Sequence, residues 1–345
     1  MVSAQPAKRA ASLLISGIFA LATLAGMWGG VYASGSQLWR NWAETAADVA
    51  AETEIQAAAP EIAPPPVWEP AREVAYPAFS DRPAYTVYWP EGPAGPRPVV
   101  VALHGIGGSG PGIAGNLINQ ARANGWVLVA PTIPYGEWRD PSQLTTEELR
   151  LIPQLARLLD YVRDEAGVVN ASPSGRVMLF GFSRGAQAAL RFSMLYPEKV
   201  HAVAAFSAGT YTLPVRSIAT SAGPALAKMP FGVADLPELS GRGVDQLRMT
   251  GVRFLIGVGA TDNRDGDVPR QWDTFVGRNR VERATRFAAV LADLGCETNL
   301  AVVPATGHEL NAAVMEQVTG FLATSAARAQ REGVMGITSS GDHIK

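Results

Sequence analysis

A serine between glycines, a histidine on a loop and a cluster of aspartates are the residues of this chain whose types and order could do chemistry together. The serine lies in Gly181-Phe182-Ser183-Arg184-Gly185, after an apolar run (177–180) and before a helix-forming run (186–190). That strand–turn–helix setting suits a hydroxyl exposed on a strained turn, where Cβ atoms at the two glycines would strike neighbouring backbone. A serine hydroxyl is a weak nucleophile and needs a base beside it. The chain has four histidines. His343 lies in the tail "TSSGDHIK", His201 opens a strand, and His104 sits in a glycine-rich loop. His308, in "VVPATGHEL" between a strand and the last helix, is left as the candidate base. The acid that would orient its ring is sought in "FLIGVGATDNRDGDVPR", which offers Asp262, Asp265 and Asp267. Asp262 is preferred because it comes straight off a strand, with Asp267, just before Val268-Pro269, as the second choice. These acids lack the closing glutamate of a calcium loop, so no metal site is expected.

The elements that must position these groups alternate. Strand-like runs ("RPVVVALHG", "WVLVAPTIP", "RVMLFGFSRG", "VHAVAAFSAG", "VRFLIGVGATD") are separated by helix-like runs, including a long one read as opening on the Thr-Thr-Glu-Glu of 145–148. That rhythm predicts an α/β fold with a mainly parallel sheet covered on both faces. Residues 210–251 break the rhythm with no clear strand and read as a lid insertion. Their apolar residues, such as Tyr211, Leu213, Met229, Phe231 and Leu236, fit either substrate contact or packing onto the sheet. The stretch "LHGIGGSG" contains a G-x-G-x-x-G at Gly105, Gly107 and Gly110. A dinucleotide site also needs an acid about 20 residues on. The chain there has none before Glu137, so no nucleotide cofactor is expected.

The order Ser183, Asp262, His308, with a His-Gly loop after an early strand, resembles the α/β-hydrolase superfamily over residues 78–328. "GFSRGAQAAL" and "YPEKV…SAG" are most similar to esterase and depolymerase members, including dienelactone-hydrolase-like and feruloyl-esterase-like enzymes. The resemblance implies an eight-stranded, mostly parallel sheet with the site at the carboxyl ends of the strands. It implies an oxyanion hole formed by the backbone N–H groups of Arg184 and Ile106, with Gly107 as the alternative to Ile106. His104 is read as shaping that loop. The expected activity is hydrolysis of a small or polymeric carboxylic ester through an acyl-enzyme, without a cofactor. A peptidase or polyester depolymerase on the same fold, or a silent hydrolase fold used for binding, are the alternatives.

Residues 1–9 carry Lys8 and Arg9, and 10–32 form an apolar stretch long enough to span a bilayer. This predicts a signal-anchor with the catalytic domain outside the cytoplasm, or a secreted or periplasmic domain if a signal peptide is removed. Residues 41–77, rich in Ala, Pro and Glu, read as a linker, 78–330 as the hydrolase domain and 331–345 as a flexible tail. A net charge of −2 without a basic run argues against a nucleic-acid partner. The single cysteine, Cys296, excludes an intrachain disulfide and reads as a buried apolar residue. Nothing in the sequence bears on oligomeric state.

Overall fold

Eight strands form one sheet: β1 Arg72–Tyr76, β2 Ala84–Trp89, β3 Val99–Leu103, β4 Val127–Thr132, β5 Val177–Phe182, β6 Val200–Phe206, β7 Arg253–Gly259 and β8 Thr298–Val303. These come from a computed structural model that describes residues 67–339 apart from Pro173, Ser221 and Ala222. The chain divides into residues 1–65 and 66–345. The basic segment 1–9, the apolar stretch 10–32 and most of the expected linker lie outside the described residues. Among the described residues no helix is long and apolar enough to cross a membrane.

The strand order is β8-β7-β6-β5-β3-β4-β2-β1. Pairing is parallel from β8 to β4 and antiparallel where β2 meets β4 and β1 meets β2. The central strands β3 and β6 are buried along their whole length, which is why β3 reads as an unbroken apolar run and β6 as one broken only by His201. Their residues alternate between two cores. Val99, Val101 and Leu103 face one, and Val100 and Ala102 face the other. The first core is closed by helices α3 (Pro141–Asp164), α4 (Arg184–Leu195) and α5 (Arg280–Asp293). The second is closed by α1 (Gly110–Gly115), α2 (Ile118–Asn124) and α6 (Ala312–Ser339).

Four boundaries differ from the sequence reading. Strand β1 lies inside the expected linker, so the domain begins before residue 78. An exposed edge strand of five residues carries little apolar signal, and proline-rich chain precedes it. Helix α3 opens at Asp140, whose side chain accepts from Gln143 N at 2.7 Å, with Pro141 at the first position. Thr145 and Thr146 lie inside the helix and bond back to Pro141 and Ser142 carbonyls. Residues 210–251 do contain strands, a short antiparallel pair at Ser217–Thr220 and Gly223–Leu226. Their alternation is too brief to stand out. Helix α6 continues to Ser339 through most of the expected tail, since no proline interrupts 312–339.

Candidate active site

The turn after β5 holds Ser183 at φ 55°, ψ −115°, a left-handed conformation for a residue with a Cβ. Its N–H is fixed by Phe206 O at 2.9 Å. A Cβ on Gly181 would collide with the backbone of Gly185, and one on Gly185 with Leu103 O. Only glycines allow the turn to pack this closely against β3 and the start of α4, so both glycines of the motif are steric requirements here.

His308 follows β8 and Asp262 follows β7. Their loops are tied together by Thr261 N donating to Thr306 O at 2.9 Å. A Cβ on Gly259 would strike the Thr306 and Gly307 carbonyls, so that crossing also depends on a glycine. The His308 Nδ1–H donates to Asp262 Oδ2 at 2.8 Å, and Ser183 Oγ lies 3.0 Å from His308 Nε2. An ionised carboxylate can only accept, which assigns the proton to Nδ1 and leaves Nε2 to accept from the serine hydroxyl. Burial pushes the Asp262 carboxyl up. The His308 hydrogen bond, the Arg280 charge and the Ser207 hydroxyl outweigh that and hold it below the usual carboxylate range. Arg280 Nη1 donates to Asp262 Oδ1 at 2.8 Å, and both side chains are buried. Asp267, the second choice, pairs with Arg264, and Asp265 pairs with Arg278. Neither reaches His308, and among the described residues no acidic or histidine cluster is arranged to hold a metal.

The loop after β3 is shaped by His104. Its buried ring accepts from Ile133 N at Nε2 (2.9 Å), so Nδ1 carries the proton and donates to Gly105 O at 2.6 Å. Burial lowers the His104 pKa, against a smaller opposing effect of the Gly105 bond, and the ring is neutral. Gly108 N closes a turn onto Gly105 O at 3.1 Å, with Gly107 at φ +73°. Neither the Ile106 nor the Arg184 backbone N–H has a protein acceptor among the described residues. Both residues line a cleft of about 440 Å³ with Ser183, His308, Trp138, Arg139, Gln187 and Gly209. The expected lid residues do not line it. Tyr211, Leu213 and Leu236 are buried in the core, and Met229 and Phe231 pack against it.

The sequence reading missed three groups around the site. Arg280 holds Asp262 from 18 residues away, at the start of α5. Arg184, Arg191, Glu147 and Glu148 form a buried charge network between α3 and α4. Within it, Glu147 also accepts Gly136 N at 2.9 Å, anchoring the loop that carries Trp138. Gln187 reaches the cleft floor from α4. The one available signal was the spacing of polar residues at 184, 187 and 191 along one face of α4.

The sheet order, with its serine on a strained turn after the fifth strand, defines the α/β-hydrolase fold. Residues 84–236 match the model of the dienelactone hydrolase family. Among solved structures the chain is similar to the poly(3-hydroxybutyrate) depolymerase LpqC from Bordetella parapertussis, with 24% identity, 76% of this chain and 94% of that chain covered, and a TM-score of 0.53. It is also similar to poly(aspartic acid) hydrolase-1 from Sphingomonas sp. KT-1, with 18% identity, coverage of 74% and 99%, and a TM-score of 0.52. At these identities the likeness concerns the fold. No curated protein matches the chain.

Proposed function

We propose that this hydrolase cleaves a carboxylic ester through an acyl-enzyme on Ser183. The observation that carries the reading is the unbroken relay Ser183–His308–Asp262, with its serine held at φ 55°. His308 Nε2 takes the hydroxyl proton as Ser183 Oγ attacks the carbonyl carbon. The imidazolium formed is stabilised by Asp262, which Arg280 keeps ionised. The oxyanion is held by the Ile106 and Arg184 amides, each worth about 3–4 kcal/mol to the transition state. His308 then gives its proton to the leaving alkoxide. It next activates the water that releases the acid.

A relay with an unshielded serine favours an active enzyme over a silent binding fold. Esters are chosen over amides on the strength of the esterase and depolymerase resemblance. Ser183→Ala is expected to lower kcat on p-nitrophenyl acetate by about 10⁴-fold or more with the fold intact. Full activity in that variant would overturn the mechanism. The matching proposal for location is export, with 10–32 as anchor or signal. It is tested by fractionation and by adding protease to spheroplasts: an anchored exported domain is digested, a released one is found in the periplasmic or culture fraction, and one retained in the cytoplasm is protected.

A further inference from the structure

We infer that Gln187 is a substrate-recognition residue whose side-chain amide selects esters carrying a second oxygen near the scissile carbonyl. The inference rests on the serine-hydrolase reading above and names its substrate class. Gln187 follows Ser183 by one turn of α4, with its backbone N–H on Ser183 O at 3.3 Å. Its side chain is only 3% exposed, yet it lines the cleft. The network behind it leaves its amide one orientation. Arg191, which can only donate, gives a hydrogen from Nη1 to Glu148 at 3.1 Å and from Nη2 to Thr210 Oγ1 at 2.9 Å. The buried Thr210 hydroxyl has, among the described residues, one acceptor for its own hydrogen, the Gln187 amide oxygen. The Oε1 atom faces Thr210, and Nε2 is turned the other way.

That direction is into the cleft. Nε2 lies 3.5 Å, and Trp138 Cζ3 3.6 Å, from the point where a Cβ on Gly209 would stand. Gly209 and Trp138 are themselves cleft walls. Among the described residues Nε2 has no acceptor, and no carboxylate lines the cleft to supply one. The result is a slot between a flat ring and a fixed donor, with its floor kept open by the missing side chain of Gly209. A donor that opens on the cleft without a protein acceptor favours a ligand that brings one over an isostere that does not. Four residues of helical rise set the Gln187 backbone about 6 Å along the axis from that of Ser183. This distance suits an ether, carbonyl or further ester oxygen a few atoms from the bond that is cut, on a slim unbranched chain.

The test uses isosteric esters that differ by oxygen for methylene. For the acyl side these are p-nitrophenyl 3-methoxypropanoate and p-nitrophenyl pentanoate. For the alkoxy side they are 2-methoxyethyl butyrate and butyl butyrate. Each kcat/KM is divided by that ester's rate with hydroxide. The full-length enzyme is expected to favour the oxygen-bearing member of one pair by about tenfold. The pair that responds assigns the slot to the acyl or the alkoxy side. In Gln187→Met that ratio is expected to fall to about one. Hydrolysis of all four esters with both ratios within twofold of one would overturn the inference and leave the serine mechanism standing. A ratio that survives Gln187→Met would overturn it as well. Failure to hydrolyse any ester, together with no labelling of Ser183 by a fluorophosphonate, would overturn the underlying reading and this inference with it.

Discussion

Ser183, His308 and Asp262 were legible in the sequence because few side chains can activate a hydroxyl, and four histidines leave little choice. Their supports were not. Arg280, Gln187 and Glu147 act through hydrogen bonds across 11 to 37 residues of chain, and no local pattern encodes such contacts. Arg280 has a testable part. Without its charge the Asp262 carboxyl rises, so Arg280→Met should move the acid limb of the kcat/KM profile to higher pH. It should also lower kcat by about tenfold, the effect of roughly 1.4 kcal/mol. An unchanged pH profile would show that the Arg280 charge does not matter to Asp262. Gly107 has open space around it and φ +73°, so its constraint is conformational. Gly107→Val should cost about 1–2 kcal/mol in a urea titration. It should lower kcat by more than that energy implies, because the Ile106 amide moves with the turn. His104 is held neutral, with its folded pKa below the unfolded value. Its stabilisation is thus complete above the unfolded pKa of about 6.5 and is lost as pH falls through the folded one. Calorimetry should find Tm falling on the acid side of pH 6.5, with His104→Ala lower in Tm at neutral pH and less sensitive to acid.

Elements announced themselves in proportion to their burial. Strands β3, β5 and β6 are apolar but for His201 because both of their faces meet helices, and their order along the chain set the expected class of fold. Strand β1 is an exposed edge, and the strands at 217–226 are only four residues each, so neither rises above its surroundings. Strand β1 still contributes. Tyr76 stacks on Tyr85 at 4.6 Å, and Arg72 lies 4.1 Å over the Trp89 ring. A chain starting at residue 78 should therefore melt several degrees below one starting at residue 67, and equal Tm values would deny β1 that role. Helices α3 and α4 meet through Glu147, Glu148, Arg184 and Arg191, all buried. Removing one member leaves an uncompensated charge, so Glu148→Ala should lose about 3–5 kcal/mol in chemical denaturation. The network also holds Arg184, whose backbone N–H faces the site, and orients Gln187 through Thr210. A destabilised variant should therefore also lose activity while still folded.

At the scale of the molecule, the sheet gathers three loops from distant parts of the chain at the carboxyl ends of β5, β7 and β8 and closes them over one cleft. Tyr211, Leu213, Met229, Phe231 and Leu236 turned inward, so the cleft walls come instead from the loop at Trp138 and from Gln187 and Gly209. The glycine-rich stretch that spells a dinucleotide motif is here a turn braced by His104, with Gly105 and Ile106 lining the cleft. The proposed function converges on the Ser183 hydroxyl. The most direct measurement is intact-mass and peptide mapping of the full-length protein after brief exposure to a fluorophosphonate at neutral pH. A single adduct on Ser183, absent from Ser183→Ala and strongly slowed in His308→Ala, is the predicted result. No adduct, or an adduct on another residue with Ser183 untouched, would contradict the account.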